Sequence, residues 1–164
     1  MQVASKLTAI PKGEWARKES SGDEDIEVDC TIDRPPLVPE GDYEVALVRV
    51  DKRKNLYGRT KMFLHFQILN AGEHSGAILF MSVNFPENGK FSISSKFLQQ
   101  WAIAAGQAPR RHDRLSTRVF RNKIFLGRVR TVTKFVHSSR KLMDRDPDTY
   151  YSVLDHLIER LVGS

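Results

Sequence analysis

Met62-Phe-Leu-His-Phe-Gln-Ile-Leu69 and Ala77-Ile-Leu-Phe-Met-Ser-Val-Asn-Phe85, with Asn70-Ala-Gly72 and Ser75-Gly76 between them, decide how this chain folds. In the first stretch Leu64, Phe66 and Ile68 share one face, and Phe63, His65 and Gln67 share the other. In the second, Leu79, Met81, Val83 and Phe85 form the more uniformly apolar face, opposite Ile78, Phe80, Ser82 and Asn84. A period of two is that of a strand with one buried side. The Asn and Gly residues between the stretches suit a turn.

Upstream, Glu40-Gly-Asp42 reads as a turn and Tyr43 to Val50 as a strand with Tyr43, Val45 and Leu47 on one face. Asp51 to Lys61 reads as a basic connection with Tyr57-Gly58 near its tip. Downstream, Pro86 to Lys90 is a loop. Ser94 to Ala105 fits a helix, with a serine start, an apolar stripe of Phe97, Leu98, Trp101, Ala102 and Ala105, and Gly106 to end it. A basic, irregular stretch follows, with a short helix near Ser116 to Phe120. Lys123 to Phe135 reads as a long strand in which Phe125, Val129, Thr131 and Thr133 alternate with Arg128, Arg130 and Lys134. Val136 to Asp148 is a polar turn region. Tyr150 to Val162 fits either a strand at Tyr151 to Leu154 or a helix on Leu154, Leu157, Ile158 and Leu161. Three strands, a helix, a long strand and a final element match a mainly β, five-stranded barrel of the oligonucleotide-binding type, with its helix between strands three and four.

Charge divides by position. Residues 1–34 hold 5 Lys/Arg against 8 Asp/Glu, and residues 35–164 hold the other 21 against 12, so a −3 segment precedes a +9 one within a chain of net +6. Glu19-Ser-Ser-Gly-Asp-Glu-Asp25 is acidic and aperiodic, which predicts a disordered or extended N-terminal segment. Arg34-Pro-Pro-Leu-Val-Pro39 reads as a stiff linker. The expected division is a 1–36 extension and a 37–164 nucleic-acid-binding domain.

The residues give little support to catalysis. The single cysteine, Cys30, excludes an internal disulfide and a Cys-based zinc site. None of the five histidines forms a metal-ligand pair with another His or Cys. GxSxG, GxxxxGK[ST] and GxGxxG motifs are absent. Asp144, Asp146 and Asp148 alternate in a loop, but Pro147 and Arg145 interrupt them and no glycine turn or distal glutamate follows, so a solvated turn is expected. Neither catalytic residues nor a metal or cofactor site is expected. No apolar run approaches the roughly 20 residues that span a bilayer, and no signal-peptide core opens the chain. A cytoplasmic protein without membrane contact is the expectation.

Binding has more behind it. Proteins that hold single strands use cations to track phosphates and flat rings to stack bases. The candidate surface is Arg53, Lys54, Tyr57 and Arg59 from the first connection, Lys61, Phe63 and His65 from the second strand, Phe80 and Asn84 from the third, and Arg128, Arg130 and Lys134 from the fourth. Tyr57, Phe63 and Phe80 are the stacking candidates. Phe63 and Phe80 also suit burial beneath a loop or helix, Trp101 suits the core, and Arg110, Arg111 and Arg114 suit either an extended phosphate path or a charged loop.

Pro39-Glu-Gly-Asp-Tyr-Glu-Val45, Phe66-Gln-Ile-Leu69 and Gly76-Ala-Ile-Leu-Phe80 resemble segments of small single-stranded-DNA-binding proteins of the oligonucleotide-binding fold from phages and conjugative elements. Gly127-Arg-Val-Arg-Thr-Val132 and Tyr151-Ser-Val-Leu-Asp155 look like that family's later strands. The resemblance spans about Leu37 to Val162 and implies DNA binding in replication, recombination or transfer of a mobile element. DNA and RNA both remain open as ligands, as does homo-oligomerisation. The acidic extension suggests recruitment of a replication or recombination protein, or competition with DNA for the domain. The alternative function is a protein-interaction module, an anti-defence or regulatory factor that sets its basic face against an acidic protein.

Overall fold

The computed structural model describes residues 36–55, 58–110, 115–137 and 139–163, all within the compact unit Arg34–Ser164. The acidic extension, Cys30, Tyr57, Arg111 and Arg114 lie outside the described residues. Among the described residues seven strands, β1 (Gly41–Lys54), β2 (Thr60–Ile68), β3 (Ile78–Phe85), β4 (Ile124–Val132), β5 (Lys134–Val136), β6 (Leu142–Asp144) and β7 (Tyr151–Val162), accompany one α-helix, α1 (Lys96–Ala105), between β3 and β4. The main sheet is antiparallel with order β3-β2-β1-β4-β7, and β5 and β6 form a separate hairpin.

Alternation does what it predicts in β2 and β3. Leu64, Phe66, Ile68, Leu79, Met81 and Val83 are buried, with Phe120, Phe125, Val129, Leu154 and Leu157 completing the core beneath α1. Ser95 caps α1 by accepting from Leu98 N at 3.3 Å, and Gly106, left-handed at φ 75°, ends it by donating to Ala102 O at 2.8 Å. Phe97, Leu98 and Trp101 put the apolar stripe into the core. Gly127 has no room for a side chain: a Cβ there would stand 2.7 Å from Leu154 Cδ1 and 3.2 Å from Val45 Cγ2.

Three expectations change, and one open alternative is decided. The sheet does not close into a barrel, and among the described residues no ladder joins β3 to β7. Backbone donors on β7 are already taken: Ser152 N by Pro36 O at 3.3 Å, and Leu157 N by the buried Gln100 Oε1 of α1 at 2.5 Å. Val38 plugs the core beside that edge, held by the buried Ser152 hydroxyl, which accepts from Val38 N at 2.7 Å and donates to Val38 O at 2.9 Å. Much of the first connection is strand, because β1 runs to Lys54 and β2 starts at Thr60, and Asn55 Oδ1 accepts from Arg59 N between them. The long fourth strand breaks at Thr133, and Lys134 to Asp144 forms the β5–β6 hairpin, closed at its base by Arg145 N donating to Thr133 O at 2.7 Å. The chain ends in a strand, not a helix: β4 supplies the ladder that an isolated amphipathic segment lacks.

Candidate nucleic-acid interface

The ladder registers set nine outward side chains into a grid. Arg49, Asp51 and Arg53 of β1 lie opposite His65, Phe63 and Lys61 of β2, which lie opposite Phe80, Ser82 and Asn84 of β3. Directly opposed residues of an antiparallel pair share a face. Six residues named from sequence (Arg53, Lys61, Phe63, His65, Phe80 and Asn84) therefore meet on one surface.

A register shift at Val48 makes this possible. Before it, Val45 and Leu47 point to the core; after it, Val50 does, and Arg49, Asp51 and Arg53 turn outward. Val48, the extra residue, is 49% exposed. Strict alternation carried on from Tyr43, Val45 and Leu47 places Arg49 and Asp51 on the wrong side, so sequence reasoning missed both.

Rings run across the grid and over the unladdered seam. Phe63 meets Phe80 edge-on at 5.5 Å, His65 lies 6.3 Å from Phe80, and Tyr151 of β7 stacks on Phe80 at 6.2 Å and 28°. Phe63, Phe80 and Tyr151 are half-buried, neither sealed in the core nor free in solvent. The Arg145 guanidinium stands 5.1 Å from the centre of Tyr151 and 5.7 Å from that of Phe135, so it lies near both rings. Tyr151, Arg145 and Phe135 are further members that sequence reasoning left out. Their signal was a tyrosine opening a strand just after a polar turn that carries Arg145.

One carboxylate lies among the cations. Asp51 Oδ2 lies 3.5 Å from Arg49 Nε, 3.7 Å from Arg53 Nη2 and 3.0 Å from His65 Nε2. The His65 contact is close but not aligned as a hydrogen bond, and its Nε2 is fully buried. Burial, then the Arg49 charge, lowers the His65 pKa below its ordinary value, and Asp51 only partly offsets this. Lys54, Arg59 and Lys61 enter no salt bridge among the described residues.

The remaining cations keep other company. Arg128 forks onto Asp42, its neighbour across the β1–β4 ladder, and that hydrogen bond raises the Arg128 pKa further. Arg130 Nε donates to Asp155 Oδ1 at 2.6 Å, and His156 Nδ1 lies 2.7 Å from Asp155 Oδ2. Burial works against the Asp155 charge, but His156, Arg130 and Lys96 together hold its pKa below the usual carboxylate range. Burial also lowers the Lys96 pKa, with Asp155 opposing. Lys134, in the hairpin, lies 3.9 Å from Asp144. None of these contacts reaches Phe63, Phe80 or Tyr151.

Asp146 of the alternating aspartates caps a short 3-10 helix, Pro147–Thr149, by accepting from Asp148 N at 3.1 Å. Among the described residues no group of three His, Cys, Asp or Glu is placed to hold a metal ion. None of the helices there is long and apolar enough to cross a membrane. No protein-family model matches the sequence, and neither does any curated protein.

Proposed function

We propose that the protein binds single-stranded nucleic acid, DNA in the first instance, with low overall sequence preference, on the outer face of β1–β2–β3 extended by Tyr151 and Arg145. The observation that carries this is the grid itself. Half-buried rings run from its centre at Phe63 to the β3 edge at Phe80 and on to Tyr151, and Arg49, Arg53 and Lys61 stand on the other sides of Phe63. Rings at that depth are rigid enough to stack a base and open enough to be reached. Strand order β3-β2-β1-β4-β7, with α1 between β3 and β4, agrees with an oligonucleotide-binding fold in its partly open form. The work done is phosphate neutralisation and base stacking, without a covalent step, in support of replication, recombination or transfer of a mobile element in the cytoplasm.

A labelled single-stranded oligonucleotide titrated against its duplex at two salt concentrations tests the reading. Affinity for the single strand should exceed that for duplex and fall with salt at a log–log slope of roughly −0.7 per neutralised phosphate. Equal or tighter duplex binding, or none to either, overturns it.

One observation favours a second reading, a protein-interaction module directed at an acidic partner. Phe135, Val136, Leu142 and Met143 are all exposed on the β5–β6 hairpin, where Lys134, Arg140 and Lys141 are exposed too. Oligonucleotide affinity that is indifferent to the loss of Phe63 and Phe80 would favour this reading.

A further inference from the structure

Resting on the nucleic-acid reading, we propose that Asp51 makes one base position of the site prefer bases with an exocyclic amino group over thymine or uracil. A carboxylate in a phosphate-binding groove repels the backbone it borders. Asp51 nonetheless holds the middle position on β1, between Arg49 and Arg53 and directly across from Phe63. Its side chain is 32% exposed, so a ligand can reach it. The contact given above for each of the three pairs falls on Oδ2, and a carboxylate has acceptor lone pairs on both oxygens to offer a ligand.

A ring lying on Phe63 brings an edge to Asp51, because opposed side chains in such a ladder stand about 5 Å apart at Cβ. An ionised carboxylate only accepts hydrogen bonds. Cytosine, adenine and guanine each offer it an amino group. Thymine and uracil offer a single N–H flanked by two carbonyl oxygens, and those oxygens repel the carboxylate. Arg49 and Arg53 flank this position and are placed to take the phosphates on either side, so the charge pattern separates a base position from two phosphate positions.

The test compares oligo-dC and oligo-dT of equal length at slightly alkaline pH and fixed salt, for the full chain and for Asp51→Asn. Asparagine both donates and accepts, so it removes the discrimination along with the repulsion. The dC-to-dT affinity ratio should fall about tenfold on substitution, the lower end for a hydrogen bond to a charged group. Binding to oligo-dT should tighten, which a merely structural loss would not produce, and Asp51→Ala should repeat the fall in ratio. Taking the change in ratio cancels intrinsic differences between the two polymers. An unchanged ratio, or equal weakening toward both, overturns the base preference. If Phe80→Ala still weakens binding about tenfold or more in that case, the nucleic-acid reading survives without it. No binding to either oligonucleotide overturns both.

Discussion

The grid on β1–β2–β3 and the surface around β4 and β7 each present three cations, Arg49, Arg53 and Lys61 on one and Lys96, Arg128 and Arg130 on the other. Their company differs. On the grid a single carboxylate, Asp51, serves two arginines and a histidine, and Lys61 stands apart. Around β4, Asp42 holds Arg128 and Asp155 holds Arg130, so charge meets charge nearly one to one. Rings accompany the first set and not the second. A count of basic residues therefore overstates what a polyanion can use, because a cation already paired with a carboxylate gains less from a phosphate.

The rings offer the sharpest way to break this contrast. Phe80→Ala or Tyr151→Ala should each weaken single-strand binding by about 10- to 100-fold, the effect of losing one base–aromatic stack. A change of less than twofold for both would remove the reason to regard the grid as the binding face. Salt dependence sharpens the contrast next. Arg53→Ala or Lys61→Ala should each lower the magnitude of the log–log salt slope by about 0.7, one phosphate contact. Arg128→Ala should leave the slope where it was, since Asp42 occupies that guanidinium. Equal losses from both faces, in the same titration series, would erase the distinction.

The smallest effect concerns pH and stability. His65 has a folded-state pKa below its unfolded value, so the unfolded chain binds the proton more readily. The grid should therefore lose stability as pH falls through about 6.5, the ordinary histidine value, and the loss should level off below the folded pKa. Asp155 is also depressed, but as a carboxylate: its stabilising contribution is present above the ordinary value near 3.9 and fades only as pH falls through its lower folded pKa. Denaturant midpoints followed from neutral to mildly acidic pH should decline for the parent chain and flatten for His65→Gln. A decline that persists in His65→Gln would assign the titration to another group.

Much of the fold was legible because the middle of the sheet obeys simple alternation. Residues 62–69 and 77–85 bury one face each, and their period of two shows it without help from the rest of the chain. The helix was legible from its serine and glycine ends. Sheet closure was not, because it depends on who satisfies the β7 edge: Gln100 and Pro36 lie far from it in sequence. The same holds for the candidate site. Phe63 and Phe80 were found because they sit on the polar sides of well-patterned strands. Arg128 and Arg130 were found as exposed cations, but Asp42 and Asp155, distant in sequence, determine how much charge they keep. Tyr151 joins the site through a meeting of two sheet edges that periodicity does not encode.

The register shift in β1 has a consequence for how this chain can vary. Val48 presents an ordinary exposed side chain, and many residues could stand in its place. The number of residues between Leu47 and Val50 carries the geometry. Two stand there where strict alternation allows one, and the bulge takes up the extra residue, so Val50 still points inward while Arg49, Asp51 and Arg53 point outward. Removing Val48 would take away the bulge and leave both faces as they are, so at this point the strand tolerates the loss of a residue.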